Sequence, residues 1–168
     1  VHVTMNAASV PFRPAAERLT ADPQVPPGIA FWAEMTVPAE GVSDGVPHVN
    51  NVEYVRWVDR LAEMATDAAG FTRARHLREG TMWFVARHEL DYRAEAFAGD
   101  EILASTWIVD VTRTTVRRAT RILRPADGRL ICESITRWAL VNLETRRPVR
   151  IPREIRDAFG TAGAGDGA

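Results

Sequence analysis

Asp44, His48, Asn50 and Asn51 are the residues whose types and spacing suit chemistry. The carboxylate stands four places before the imidazole, and the two asparagines come just before a long helix-forming run. A carboxylate can act as base or nucleophile. An imidazole titrates near neutrality and can order a water or pass a proton. Asn50 is a good N-cap, and Glu53, three places on, completes a capping-box pattern. The first N–H groups of a helix lack intrahelical partners, and the dipole at that end favours negative charge. The loop thus brings an acid and an imidazole to an electropositive helix mouth. Each residue also has a plainer reading: Asp44 as a turn residue beside Gly45, His48 as a loop-fixing hydrogen bonder, and one asparagine as a cap alone.

The element behind this loop is a helix over Asn51 to Ala69, closed by Gly70 as a C-cap. Val52, Val55, Val58, Leu61, Ala62, Ala65 and Ala68 recur three or four apart and define an apolar face. Tyr54, Trp57 and Met64 widen it, so the helix is expected to be covered on most sides. Ile29 to Val37 reads as a strand, and Pro38 to Asn50 as the loop that carries the candidate residues. Phe71 to Gly80 reads as a polar connector containing Arg73, Arg75, His76 and Arg78. Met82 to Arg93 alternates, with Met82, Phe84, Ala86, His88, Leu90 and Tyr92 expected on one face. Glu101 to Val111, Thr115 to Leu123 and Leu130 to Leu143 read as further strands, with turns at Ala98-Gly99-Asp100 and Pro125-Ala126-Asp127-Gly128. Pro152 opens a short helix to Phe159. One strand, one long helix and then four strands joined by short turns imply an α+β domain, an antiparallel sheet of about five strands around one helix. Val1 to Gly28 reads as a flexible arm, residues 29–159 as the single domain, and Gly160 to Ala168 as a disordered tail.

At 168 residues the chain fits one domain, and 46% apolar residues suffice for a core. A net charge of -1 gives no bulk attraction to nucleic acid or to an anionic membrane. All 21 basic residues are arginine, so no lysine can serve as base, Schiff-base former or phosphate clamp. Cys132 is the only cysteine, which excludes an internal disulfide. No spacing of His, Cys, Asp and Glu suggests a metal site, and no glycine-rich phosphate loop or G-x-S-x-G elbow is present. No cofactor is expected. No apolar run reaches the ~20 residues of a membrane helix. The first residues lack the order of a secretory leader, so a cytoplasmic protein is expected.

The stretch D-G-V-P-H-V-N-N-V-E-Y-V-R-W, from Asp44 to Trp57, resembles the D-x-x-x-H-V-N-N-x-x-Y-x-x-W signature of hotdog-fold acyl thioesterases. It is similar to the 4-hydroxybenzoyl-CoA thioesterase-like and acyl-ACP thioesterase-like groups, and the resemblance spans Ile29 to Phe159. It implies a hotdog fold and hydrolysis of an acyl-CoA or acyl-ACP thioester. It further implies Asp44 as base or nucleophile, His48 in the catalytic set, and the backbone amide of Asn51, with Asn50 beside it, polarising the carbonyl. Homodimers or homotetramers with sites between subunits go with the same resemblance. Tyr54 is among the aromatics that could line an acyl slot. Arg117 and Arg118, with Arg113 and Arg121, are candidates to meet the phosphates of CoA or of a carrier-protein arm. The chain departs from related patterns at Val42, Val46 and Pro47. It also fails the hydratase pattern D-x-N-P-x-H, because His48 comes one place early. Another branch of the family places its acid on the long helix, which makes Glu63 the backup and Glu53 a weaker candidate. His88 reads as a satisfied core histidine.

Overall fold

The computed structural model describes residues 10–42 and 45–160. Its elements in chain order are β1 (Arg13–Pro14), β2 (Phe31–Thr36), α1 (Asn51–Ala68), α2 (Arg73–Arg78), β3 (Thr81–Tyr92), β4 (Glu101–Val111), β5 (Thr115–Arg124), β6 (Arg129–Asn142) and α3 (Arg153–Ala158). The strands form one six-stranded sheet in the order β1-β2-β4-β5-β6-β3, antiparallel at every pairing. The α1 helix packs on one face, the inner face, as the α+β reading anticipates.

The helix ends follow local chemistry. The Asn50 side chain accepts the N–H of Val52 at 3.0 Å, so the expected N-cap forms. The reciprocal half of the capping box does not: Glu53 accepts from Arg56, while the N–H of Asn50 donates to the carbonyl of Gly41. At the other end, Phe71 N–H reaches Thr66 O and Gly70 N–H reaches Asp67 O, with Gly70 at φ 86°. That is a Schellman termination, which needs the left-handed region that glycine enters at little cost.

The buried stripe of α1 comprises Tyr54, Trp57, Val58, Leu61, Ala62 and Met64. Val52 and Ala68, expected on the apolar face, are exposed. The large aromatic and thioether side chains remove more apolar area than small Val and Ala, and so set the rotation of the helix. They pack against Ala33, Met35, Ile102, Ala104, Ile122 and Ile131. A second apolar cluster, containing Phe71, Ile108, Val116, Leu140 and Ile151, lies toward the other end of the sheet.

Three expectations need correction. The connector after α1 holds the α2 helix, capped by Thr72, whose hydroxyl accepts from Arg75 N–H at 3.2 Å. The alternation in β3 breaks at a bulge between Val85 and Arg87. Trp83 and Val85 therefore share the face of His88, Leu90 and Tyr92, while Met82 and Phe84 change sides, because one extra residue inverts the period. The arm is packed from residue 10 onward. Arg13 and Pro14 pair with Glu34 and Ala33, Phe12 meets Trp57 at 6.4 Å between ring centroids, and Val25 packs with Trp32 and Leu103. The residues after 160, expected to be a tail, lie outside the described residues.

Candidate active site

The loop before α1 is tied down on both sides. Val42 and Val49 form an isolated antiparallel bridge, and Val49 N–H donates to Ala96 O at 2.8 Å. Val49 is buried, which fixes the residues next to it. Gly41 lies against the first helical turn: a Cβ there would sit 3.1 Å from Glu53 Cγ. These contacts deliver His48, Asn50 and Asn51 to the N-terminus of α1.

A cleft of about 470 Å³ opens there, lined by His48, Asn50, Asn51, Tyr54, Tyr92 and Glu95 among others. His48 is 38% exposed, and its Nδ1 lies 3.0 Å from Glu95 Oε1. An ionised carboxylate accepts only, so Nδ1 carries the shared proton and Nε2 is left as the basic atom of the ring. The Tyr92 hydroxyl donates to Asn51 O at 3.2 Å, and its ring meets Tyr54 edge-on at 5.4 Å. Tyr54 is buried, and that burial pushes its phenol up to about 12, so it stays protonated. The amide of Val52 is taken by Asn50 Oδ1 and that of Glu53 by Asn50 O. The Asn51 N–H has no acceptor among the described residues. A free amide at a helix start, beside an imidazole held by a carboxylate, can stabilise an oxygen that gains charge while a proton moves.

The structure therefore brings together His48, Asn50, Asn51 and Tyr54. Asp44, expected to be the acid, lies outside the described residues. Arg117 is not in the cleft: it lies on the outer face of β5 and pairs with Asp110. Arg118 is 5% exposed and points to the inner side, so its guanidinium does not face solvent. Its burial does not fit the expected contact with phosphates at the surface. Arg121 pairs with Asp22 and Glu133. Glu63 pairs with Arg60 at 2.7 Å and Glu53 with Arg56. His88 is half-buried, with Nδ1 2.9 Å from Thr136 Oγ1, and burial lowers its pKa.

Sequence reasoning missed Glu95. It follows β3 and stands 47 places from His48, so no local spacing joins the two. The only signal was an acid in the short Arg93-Ala94-Glu95 segment between a strand and a turn. The segment is held by Arg124, whose Nη1 donates to Glu95 O at 3.0 Å and to Asp100 Oδ2 at 2.8 Å. Among the described residues no group of three or more His, Cys, Asp or Glu side chains could hold a metal. No helix among them is long and apolar enough to cross a membrane.

Residues 43–159 match the family model of the thioesterase-like superfamily. A palmitoyl-acyl carrier protein thioesterase of Cuphea hookeriana is 26% identical over 98 residues, 58% of this chain and 23% of that protein. The chain spans less than a quarter of the length of the curated relatives it matches. Among solved structures, a 1,4-dihydroxy-2-naphthoyl-CoA thioesterase from Synechocystis superposes with a TM-score of 0.71 at 17% identity, covering 77% of this chain and 95% of the other. An acyl-ACP thioesterase from Bacteroides thetaiotaomicron gives 0.66 at 18% identity, covering 73% and 49%. At such identities these structures share the hotdog fold.

Proposed function

The chain belongs to the thioesterase-like superfamily, and we propose that it hydrolyses the thioester of an acyl-CoA or acyl-ACP in the His48 cleft. The observation that carries this reading is the His48–Glu95 pair beside the Asn51 amide, which has no acceptor among the described residues, at the mouth of α1. In this scheme the thioester carbonyl oxygen accepts from the Asn51 N–H, which strengthens its hold as charge develops. Asp44 acts as nucleophile or as the base for a water. His48, oriented by Glu95, moves the proton through Nε2 toward the departing thiolate. Water and thioester give a carboxylic acid and a free thiol. Asn50 holds the helix mouth in shape, and Tyr54 with Tyr92 forms the wall where the acyl group begins. Arg117, on the outer face, is proposed only as a phosphate contact for a carrier arm.

A second copy of the chain is expected to complete the assembly. The edge strand β3 is twelve residues long and exposes Phe84 and Val85, an edge that invites pairing. The competing reading is an acyl-binding subunit without catalysis, favoured by Val42 and Pro47, which depart from the related pattern. A panel of acyl-CoA and acyl-ACP esters, read by release of free thiol, tests the proposal. Thiol release that depends on His48 supports it, and binding without release supports the competitor.

A further inference from the structure

The inner face of the sheet is apolar at both ends and polar across the middle. Strand register makes this explicit. One row runs Ala33–Ala104–Ile122–Cys132–Tyr92 and ends at the cleft. The next row is Phe31–Thr106–Thr120–Ser134–Leu90, and the one after it is Ile108–Arg118–Thr136–His88. Beyond these, Val116–Trp138–Val85 returns to the second apolar cluster.

The polar band is short of acceptors. Thr106 Oγ1 donates to Ala119 O at 2.8 Å, so in its 3.0 Å contact with Thr120 it must accept. Thr136 is engaged with His88. Arg118, with its charge buried, has one hydrogen bond among the described residues, a long one of 3.4 Å from Nη1 to Thr106 Oγ1. Among the described residues no carboxylate offsets its loss of hydration, and burial pulls its pKa down to about 10. Asp59, the acid of α1 that acts on His88, does not act on Arg118. Ser134 Oγ and Trp138 Nε1 are also buried without partners among the described residues. A buried cation without a counter-charge is costly, and mutation to an apolar residue of similar volume commonly stabilises such sites. A guanidinium, a hydroxyl and an indole N–H, all unfilled on adjacent rows, select a ligand that brings negative charge and acceptor oxygens.

We propose that Arg118, assisted by Ser134, forms the far end of the acyl slot and recognises a carboxylate at the distal end of the acyl chain. The preferred substrates are then thioesters of dicarboxylic acids. This rests on the thioesterase reading of the His48 cleft. Rows on one face of a strand are ~7 Å apart, so Arg118 lies two rows, ~14 Å, from the Tyr92 row. Leu90 stands on the row between them and is only partly buried.

The test pairs octanoyl-CoA with suberoyl-CoA, which differ only in the distal carboxylate. The wild-type chain should favour suberoyl-CoA in kcat/KM by about tenfold or more, the range of a charged hydrogen bond. Arg118→Met should erase the preference while melting no lower than the parent, and Ser134→Ala should weaken it. A binding arm with His48→Ala, read by calorimetry, should show the same order of affinities. Equal treatment of the two esters, or an Arg118→Met variant that depresses both alike, overturns the inference and leaves the thioesterase reading standing. Tighter binding of suberoyl-CoA with no hydrolysis of either ester upholds the distal site and sinks the hydrolase. Should Arg118→Met fail to fold, an unchanged preference in Ser134→Ala counts against the proposal.

Discussion

Two histidine environments in this molecule differ in one respect that matters. In the corner between α2 and β3, His76 is 2% exposed and both ring nitrogens are committed: Nε2 accepts from Trp83 Nε1–H at 3.2 Å, and Nδ1 donates to Thr81 Oγ1 at 3.2 Å. At the mouth of α1, His48 commits one nitrogen to Glu95 and keeps the other beside an open cleft. Both sites use a hydrogen-bonded imidazole. One is sealed and serves packing; the other has a basic atom to spare and a pocket to spend it in. The lesson is that a histidine's role is set by its unused nitrogen and its access to a cleft more than by the bond it already makes.

That contrast can be broken by experiment. The largest effect is expected at His48. His48→Ala should lower turnover by about 10²–10⁴, the range for a lost acid–base group, with a melting temperature close to the parent's. Glu95→Gln should lower turnover less, since it keeps the shape and weakens the hold on the ring; a pH–rate profile displaced from the parent's would confirm that it acts through His48. His76→Ala should do the reverse. It should cost about 2–3 kcal/mol of stability in a denaturant titration, through a cavity and two orphaned donors or acceptors, and spare the activity of the folded fraction.

The pH dependence sharpens the same comparison. Burial lowers the pKa of His76 below its ordinary value of about 6.5. The unfolded chain therefore takes up the proton first. His76 contributes its full stability above about 6.5 and loses it as the pH falls from there through its own lower pKa. Subtracting the stability curve of His76→Gln from the parent's should leave that slope, and a flat difference would show that the corner does not exclude the charged ring. The smallest effect is expected at Gly41→Ala. Its new Cβ meets only the flexible Glu53 side chain, so a loss under about 1 kcal/mol is expected by thermal melting.

Much of the fold could be read in advance because its signals are local. β4 runs from Glu101 to Val111, as its pattern indicates, and Asn50 caps α1 as its side-chain chemistry requires. The α2 helix, capped locally by Thr72, is missed within the connector, and the other failures involve contacts between distant residues. The bulge near Ala86 reverses the faces of Met82 and Phe84, and nothing in the alternation itself signals an extra residue. The arm lacks a period, yet Phe12 and Val25 find apolar partners on β2 and α1 neighbours that only the fold brings near. The site divides the same way. His48, Asn50, Asn51 and Tyr54 are close in sequence and close in space. Glu95 joins them only because β3 returns the chain to the mouth of α1. Arg117 and Arg118 are adjacent in sequence, but a strand sends them to opposite faces, so they could not share one phosphate.

The central claim is that the α1 mouth is a thioester-hydrolysing site run by Asp44, His48 and the Asn51 amide. Its most direct test is free-thiol release from an acyl-CoA and acyl-ACP panel by the parent chain, Asp44→Asn and His48→Ala. The account predicts turnover of at least one ester by the parent and a loss of orders of magnitude in both variants, each still folded. Parent-like rates in the two variants would contradict it.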